Sequence, residues 1–149
     1  MVATLLPYQP GDVLEVDELW SYVSCKANKC WVWIALCRRT RQVVSWVMGG
    51  RDEERCQALW DLVPADYQQA TVYSDFYASY ATVLGRAGVL HYSVGKDSGL
   101  TNHVERWNCT LRQRLARFVR KTLSFSKSEE MHELMLKLFI HTYNSSLVK

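Results

Sequence analysis

The sequence predicts an α/β fold: one mixed sheet of five strands with helices against both of its faces. Three observations carry this reading. The runs Trp31–Cys37 and Gln42–Val47 are continuously apolar, the pattern of strands covered on both sides. A polar turn, Arg38-Arg39-Thr40-Arg41, separates them, and so short a connection joins antiparallel neighbours. Beyond Gly50 the chain alternates between helical and strand periodicity, as elements layered on one sheet do.

Each element follows in order. Residues 1–11 contain Pro7, Pro10 and Gly11 and read as an irregular lead-in. The stretch "DVLEVDELW" is rich in β-branched and aromatic residues and predicts a first strand from Val13 to Leu19. The hairpin supplies the next two. In "RDEERCQALWDLVP" acids crowd the first turn, Cys56, Leu59, Trp60 and Val63 fall at helical spacing, and Pro64 stops the helix. "QATVYSDF" is a short strand ending in Asp75, "YASYATVLGRAG" a short helix closed by glycine, and "GVLHYSV" the fifth strand. After the loop "GKDSGLTN" comes "NHVERWNCTLRQRLARFVRKT", expected to be helical until "SFSKS" breaks it. A last amphipathic helix, "SEEMHELMLKLFIHTYN", is expected to turn Met131, Leu134, Leu138 and Ile140–His141 inward. The order is β-β-β-α-β-α-β-α-α.

The 149 residues fit one domain, 1–149, with enough chain to bury a real core. No apolar run reaches the length of a membrane span and no signal-peptide pattern opens the chain, so a cytosolic location is expected. The net charge of +3 is unevenly spread. Residues 1–100 hold nine Lys/Arg against eleven Asp/Glu, whereas residues 101–149 hold nine against four. A basic final third points to contact with a polyanion, with an unequally charged solvated surface as the plainer alternative. Cys25, Cys30, Cys37, Cys56 and Cys109 are odd in number and include no C-x-x-C pair, which argues against a disulfide framework and a zinc ribbon.

Three acids stand where a globular fold does not ordinarily put them. Asp17 lies inside the first strand, Asp75 ends the fourth, and Glu105 opens a helix otherwise filled with bases. Singly each has a plain explanation: a polar edge strand for Asp17, a helix cap for Asp75, a capping box with Asn102 for Glu105. Together, at one end of a sheet, they would repel unless cations lay between them, and Mg²⁺ or Mn²⁺ suits an all-oxygen set. Two such ions can activate a nucleophile and stabilise a leaving oxygen in phosphodiester chemistry. On the helix, Glu105, Asn108 or Cys109, and Arg112 share a face, so Arg112 would hold a phosphate beside the metal. Arg106, Arg114, Arg117, Arg120 and Lys121 would continue a phosphate-binding track, while Val104, Leu111, Leu115 and Phe118 or Val119 anchor the helix.

The segments "VDELW", "VYSDFYASY" and "NHVERWNCTLRQRLARFVRKT" resemble the D…D…E signature of bacterial insertion-sequence transposases, and most closely the insertion-sequence-one family. The spacing of Glu105 and Arg112, "SFSKS" before a final helix and "HTYN" near the end also resemble it, from about Leu14 to Asn144. The resemblance implies a ribonuclease-H-like fold and a DNA transposase using two Mg²⁺ or Mn²⁺ ions. It implies metal-activated cutting at the transposon end, then attack of the freed 3′-hydroxyl on target DNA, without a covalent enzyme–DNA intermediate. By motif match, Asp17, Asp75 and Glu105 would be catalytic metal ligands and Arg112 a DNA contact. Double-stranded DNA would be the partner, with a homo-oligomer in the active complex and no membrane, in the bacterial cytoplasm and nucleoid. His103 is read as a satisfied loop histidine. The zinc-binding segment and helix-turn-helix that begin full-length members have no counterpart before Val13, so the chain is expected to be the downstream catalytic reading frame.

Two other readings stay open. Another ribonuclease-H-like nuclease would ordinarily carry an extra acid on the last catalytic helix, whereas here Glu105 is the only one as far as Lys121. A non-catalytic DNA-binding remnant of a mobile element would bind DNA without any divalent-ion effect.

Overall fold

The computed structural model describes residues 4–148. Positions 1–3 of the expected lead-in, and Lys149, lie outside the described residues; residues 5–9 hold neither helix nor strand. The strands are β1 (Val13–Val23), β2 (Cys25–Cys37), β3 (Val43–Gly49), β4 (Thr71–Ser74) and β5 (His91–Ser93). They form one sheet in the order β3-β2-β1-β4-β5. The first three run as an antiparallel meander, while β4 lies parallel to β1 and β5 parallel to β4. The sheet is therefore mixed, and the fold is the ribonuclease-H-like α/β arrangement that the sequence predicts.

Strand alternation divides the core into two layers. Leu14 and Val16 of β1 with Trp33, Ala35 and Cys37 of β2 point to one face. There they meet Cys56, Leu59 and Trp60 of α1 (Glu53–Asp61) and Tyr80, Val83 and Leu84 of α2 (Ala78–Arg86). Leu19, Val32, Ile34 and Leu36 point to the other face. It is covered by Val104, Trp107 and Leu111 of α3 (Asn102–Arg114) and Leu136 and Ile140 of α4 (Glu129–Ser146). Residues 32–37 and 42–47 are all buried, so the two apolar runs are indeed covered on both sides. Among the described residues no helix is long and apolar enough to cross a membrane.

Three expectations need correction. The β1–β2 hairpin is longer than its apolar core, with Trp20 opposite Trp31, Ser21 opposite Cys30 and Tyr22 opposite Lys29. The polar segment "CKANKC" concealed this extension, because backbone pairing does not require apolar side chains at the exposed end of a ladder. Second, α3 stops at Arg114, with Leu115 in extended backbone, so Arg117, Arg120 and Lys121 are not on it. A single 3₁₀ turn, Ala116–Phe118, then drops Phe118 into the core, stacked 4.2 Å from the His132 ring. Burying such a ring stabilises by roughly 1.5–3 kcal/mol, more than a further exposed helical turn offers. The chain next returns to the hairpin tip, where Ser24 N donates to Ser126 O at 2.7 Å.

The third correction concerns α4. Met131, Leu134 and Leu138 are 44, 54 and 56% exposed, and His141 is exposed as well. The inward line is His132, Leu136, Ile140 and Asn144, two of them polar. Asn144 mimics a strand, accepting from Val43 N at 2.9 Å and donating to Val43 O at 2.8 Å. His132 bridges Ser21 at 2.9 Å and Ser126 at 2.7 Å. Ser21 spends its proton on Cys30 O, so His132 Nε2 donates to Ser21 and Nδ1 accepts from Ser126. The ring is neutral: burial foremost, with the nearby Arg117 charge, pushes it down to about 4.

Candidate active site

The parallel pairing of β1 with β4 places two carboxylates side by side. Glu15 stands opposite Tyr73, so two residues further along each chain come Asp17 and Asp75. Asp75 lies one residue beyond β4, and its Oδ1 accepts from Tyr77 N at 2.9 Å, tightening the turn into α2. The helix-cap reading of Asp75 does not hold, because the N-cap of α2 is Tyr77, without a side-chain cap bond, while the Asp75 carboxylate lines the cleft. Glu18 joins the pair from the neighbouring position, and one carboxylate oxygen from each of Asp17, Glu18 and Asp75 lies within 4.8 Å of the others.

Asp17 is mostly buried among negative charge. Burial first, then the charges of Glu18, Asp75 and Glu105, push its carboxyl up to about 7. Glu18 is also raised, by burial foremost, against the opposing effect of its hydrogen bonds. Those bonds come from the Tyr80 hydroxyl at 2.6 Å and Arg51 at 2.7 Å. The Arg51 guanidinium is itself held between Trp31, 4.6 Å away, and Tyr77, at 4.3 Å.

Glu15 sets the position of α3. It points to the same face as Asp17, is fully buried, and accepts from His103 N at 2.9 Å and Val104 N at 3.0 Å. A carboxylate at a helix N-terminus satisfies orphan amides and complements the dipole. Arg38 and the His103 ring, each 2.7 Å away, complete its partners. His103 is therefore occupied with Glu15. No capping box forms between Asn102 and Glu105; Glu105 Oε1 accepts instead from Thr101 Oγ1 at 2.9 Å.

With α3 pinned in this way, Glu105, Asn108, Cys109 and Arg112 line one cleft of about 390 Å³ together with Asp17, Glu18 and Asp75. Glu105 shares the cleft and its charge reaches Asp17, but it stands outside the 4.8 Å carboxylate group. Asn108 Nδ2 donates to Asp17 Oδ2 at 2.7 Å. Asn108 Oδ1 and Arg112 Nε are buried without a protein partner. Burial chiefly, and then Arg120, lowers the basicity of Arg112. A half-buried guanidinium with an unpartnered Nε–H is suited to an anion in the cleft.

The six bases do not form one track. Arg112 and Arg120 line the cleft, and Lys121 lies beside Arg120 in an adjoining depression. Arg106 opens instead to a separate hollow with Arg41 and Tyr143, and the charge of Arg114 also acts on Tyr143. Arg117 turns toward Ser126, 3.5 Å away. The cysteines are all free; burial pushes Cys30 up to about 11 and Cys56 up to about 12, so both are inert thiols. Among the described residues, the acidic group is the one cluster that brings three metal-ligating side chains together, and it contains no cysteine.

Glu15, Glu18, Arg51 and Tyr80 were not singled out as site residues from the sequence. Glu15 repeats the period-two alternation of Asp17, which was a usable signal. Glu18 points to the face opposite Asp17, and the parallel neighbour β4 brings Asp75 against both.

A ribonuclease-H-like sheet whose central parallel strands converge two aspartates, beneath a helix bearing Glu105 and Arg112, defines a class in which polynucleotide-processing proteins are found. Residues 13–145 match the IS1 transposase family, and the chain belongs to it. It is 36% identical over 136 residues to the insertion element iso-IS1n protein InsB of Shigella dysenteriae, covering 88% of this chain and 95% of that protein. Against the insertion element IS1 protein InsB of Shigella flexneri it is 35% identical over 127 residues, 85% and 92% of the two chains. The IS1 4 protein InsB of Escherichia coli (strain K12) is 35% identical over 137 residues, 89% of this chain and 78% of that protein.

Proposed function

We propose that this chain is the catalytic core of a DNA transposase, cutting phosphodiester bonds at transposon ends and joining the 3′-hydroxyl to target DNA. The observation that carries the reading is the convergence of Asp17 and Asp75 in a cleft that Glu105 and Arg112 also line. The donor set fits hard divalent cations: it is all oxygen, sets Asp17 among the charges of Glu18, Asp75 and Glu105, and leaves Asn108 Oδ1 unpartnered. Asp17, Asp75 and Glu105 would hold Mg²⁺ or Mn²⁺, with Glu18 as an additional oxygen donor nearby.

Such ions, when bound, would supply Lewis-acid stabilisation of negative charge on the phosphate and a more acidic water. The chain's own groups do the rest. Asn108 fixes the orientation of Asp17 through its amide N–H. Arg112 offers its unpartnered Nε–H to a non-bridging phosphate oxygen, and Arg120 adds charge along the cleft. Tyr80 and Arg51 keep Glu18 from rotating away. Double-stranded DNA is the substrate on this reading, acted on in the bacterial cytoplasm by an oligomer of the chain.

The test is nicking of supercoiled plasmid with Mg²⁺ or Mn²⁺. Asp17→Asn, Asp75→Asn and Glu105→Gln are each expected to lower the rate at least about 100-fold, the scale of losing a charge-stabilising group in a closed site. Undiminished nicking by Asp17→Asn and Asp75→Asn, or nicking without divalent ions, refutes the reading. DNA binding indifferent to both the ions and the variants would favour a non-catalytic remnant.

A further inference from the structure

The sheet face covered by α1 and α2 does not end where those helices end. It continues along the β1–β2 hairpin as Trp20 and Trp31, which are direct cross-strand partners and only half-buried. Two large aromatic rings at such a position ordinarily gain a covering element. Here what borders them is positive charge. Trp20, Trp31, Lys26, Arg120 and Lys121 line a shallow depression of about 440 Å³. The Arg120 guanidinium stands 6.0 Å over the Trp20 ring. Trp20, Trp31 and Arg120 also line the acidic cleft, so the shelf and the cleft are continuous.

We infer that this shelf binds an unpaired nucleotide of the DNA strand leading into the cleft, stacking its base on Trp20 and Trp31 while Lys26, Arg120 and Lys121 take the flanking phosphates. Aromatic platforms interleaved with cations are the way proteins hold single-stranded nucleic acid, because every base has a π-face and every link a charge. Protein interfaces, by contrast, exclude lysine from their centres. Intact duplex does not present a free base face, so the shelf selects DNA that is frayed or opened beside the scissile phosphate. The register explains why the shelf adjoins the cleft: Trp20 lies two residues beyond Glu18, on the same face of β1. The inference rests on the catalytic reading for its substrate and not for its chemistry of recognition.

The experiment uses the full chain in EDTA, so that no strand is cut, with a duplex carrying a three-nucleotide single-stranded overhang that contains 2-aminopurine. Stacking is expected to quench the 2-aminopurine emission. Trp20→Ala and Trp31→Ala are expected to abolish the quenching and reduce the preference for overhang over blunt duplex by roughly five- to 100-fold, the range of one base–aromatic stack. Trp20→Phe is expected to restore most of it. Lys26→Gln and Lys121→Gln, both at exposed positions that do not threaten folding, are expected to weaken overhang binding several-fold. Unquenched 2-aminopurine, an unchanged preference in Trp20→Ala, or displacement by polyglutamate as effective as by the overhang strand overturns the shelf. Plasmid nicking read in parallel separates the two ideas. A chain that nicks without quenching keeps the catalytic reading and loses the shelf; one that quenches and never nicks does the reverse.

Discussion

Asp17 concentrates the physical conflict in this molecule: it is a carboxyl group embedded among other carboxylates, pushed up to about 7. A cation entering the cleft has to displace its proton. Binding of Mn²⁺ near pH 7 is therefore expected to release on the order of half a proton, and affinity to rise with pH through that range. Calorimetric titration in two buffers of different ionisation enthalpy measures the release; heats independent of the buffer would count against it. The same group acts on stability, together with His132. The folded carboxyl keeps its proton up to about 7 whereas the unfolded one sheds it near 4, so lowering the pH from 7 to 5 stabilises the metal-free fold by on the order of 2 kcal/mol. His132 works the other way. Its unfolded ring takes up a proton near 6.5 and its buried ring not until about 4, so the same step costs on the order of 2 kcal/mol. The two nearly cancel in the native chain. Asp17→Asn is expected to expose the histidine slope, and urea midpoints at the two pH values will show it; a flat profile in that variant would contradict the assignment.

At the scale of elements, two polar residues decide how the second helical layer docks. Glu15 ties the first turn of α3 to β1 through two amide bonds, with Arg38 and His103 as further partners. Glu15→Gln keeps the shape and loses the charge, and is expected to cost roughly 2–3 kcal/mol in denaturant unfolding. Because the helix carries Glu105, Asn108 and Arg112 into the cleft, the same variant is expected to lose nicking activity well before it unfolds. Asn144 holds α4 to the sheet edge by satisfying both Val43 backbone groups, and Asn144→Ala is expected to cost roughly 1–3 kcal/mol by leaving a buried amide unpaired. A loss below a few tenths would show that water replaces it. These docking residues are hard to see in sequence, since periodicity arguments count apolar positions and assign asparagine and histidine to solvent.

Over the whole molecule, the charge asymmetry of the sequence becomes a more local feature. The basic final third is not a uniform surface, for Arg106 and Arg114 face away from the cleft while Arg112, Arg120 and Lys121 gather at its mouth. Three phosphate contacts give an expected slope of about −3 for log affinity against log salt on duplex DNA, and Arg120→Gln is expected to reduce it by about 1. Fluorescence anisotropy across a salt series measures both. An unchanged slope in Arg120→Gln would place the phosphates elsewhere.

The sequence by itself determined the succession of five strands and four helices along the chain, and the interest of Asp17, Asp75 and Glu105. It could do so because continuous apolar runs, helical spacing and misplaced acids are local signals. Only the tertiary structure decided which carboxylates converge. Asp75 joins Asp17 and Glu18 because β4 pairs with β1 in parallel register, whereas Glu15 is held by the first turn of α3 as a cap. The tertiary structure also ended α3 at Arg114, since Phe118 gains more by burial than the helix gains by another turn, and it turned His132 and Asn144 inward while Met131, Leu134 and Leu138 face out. In each case the deciding free energy comes from partners distant in sequence, which composition and period do not encode.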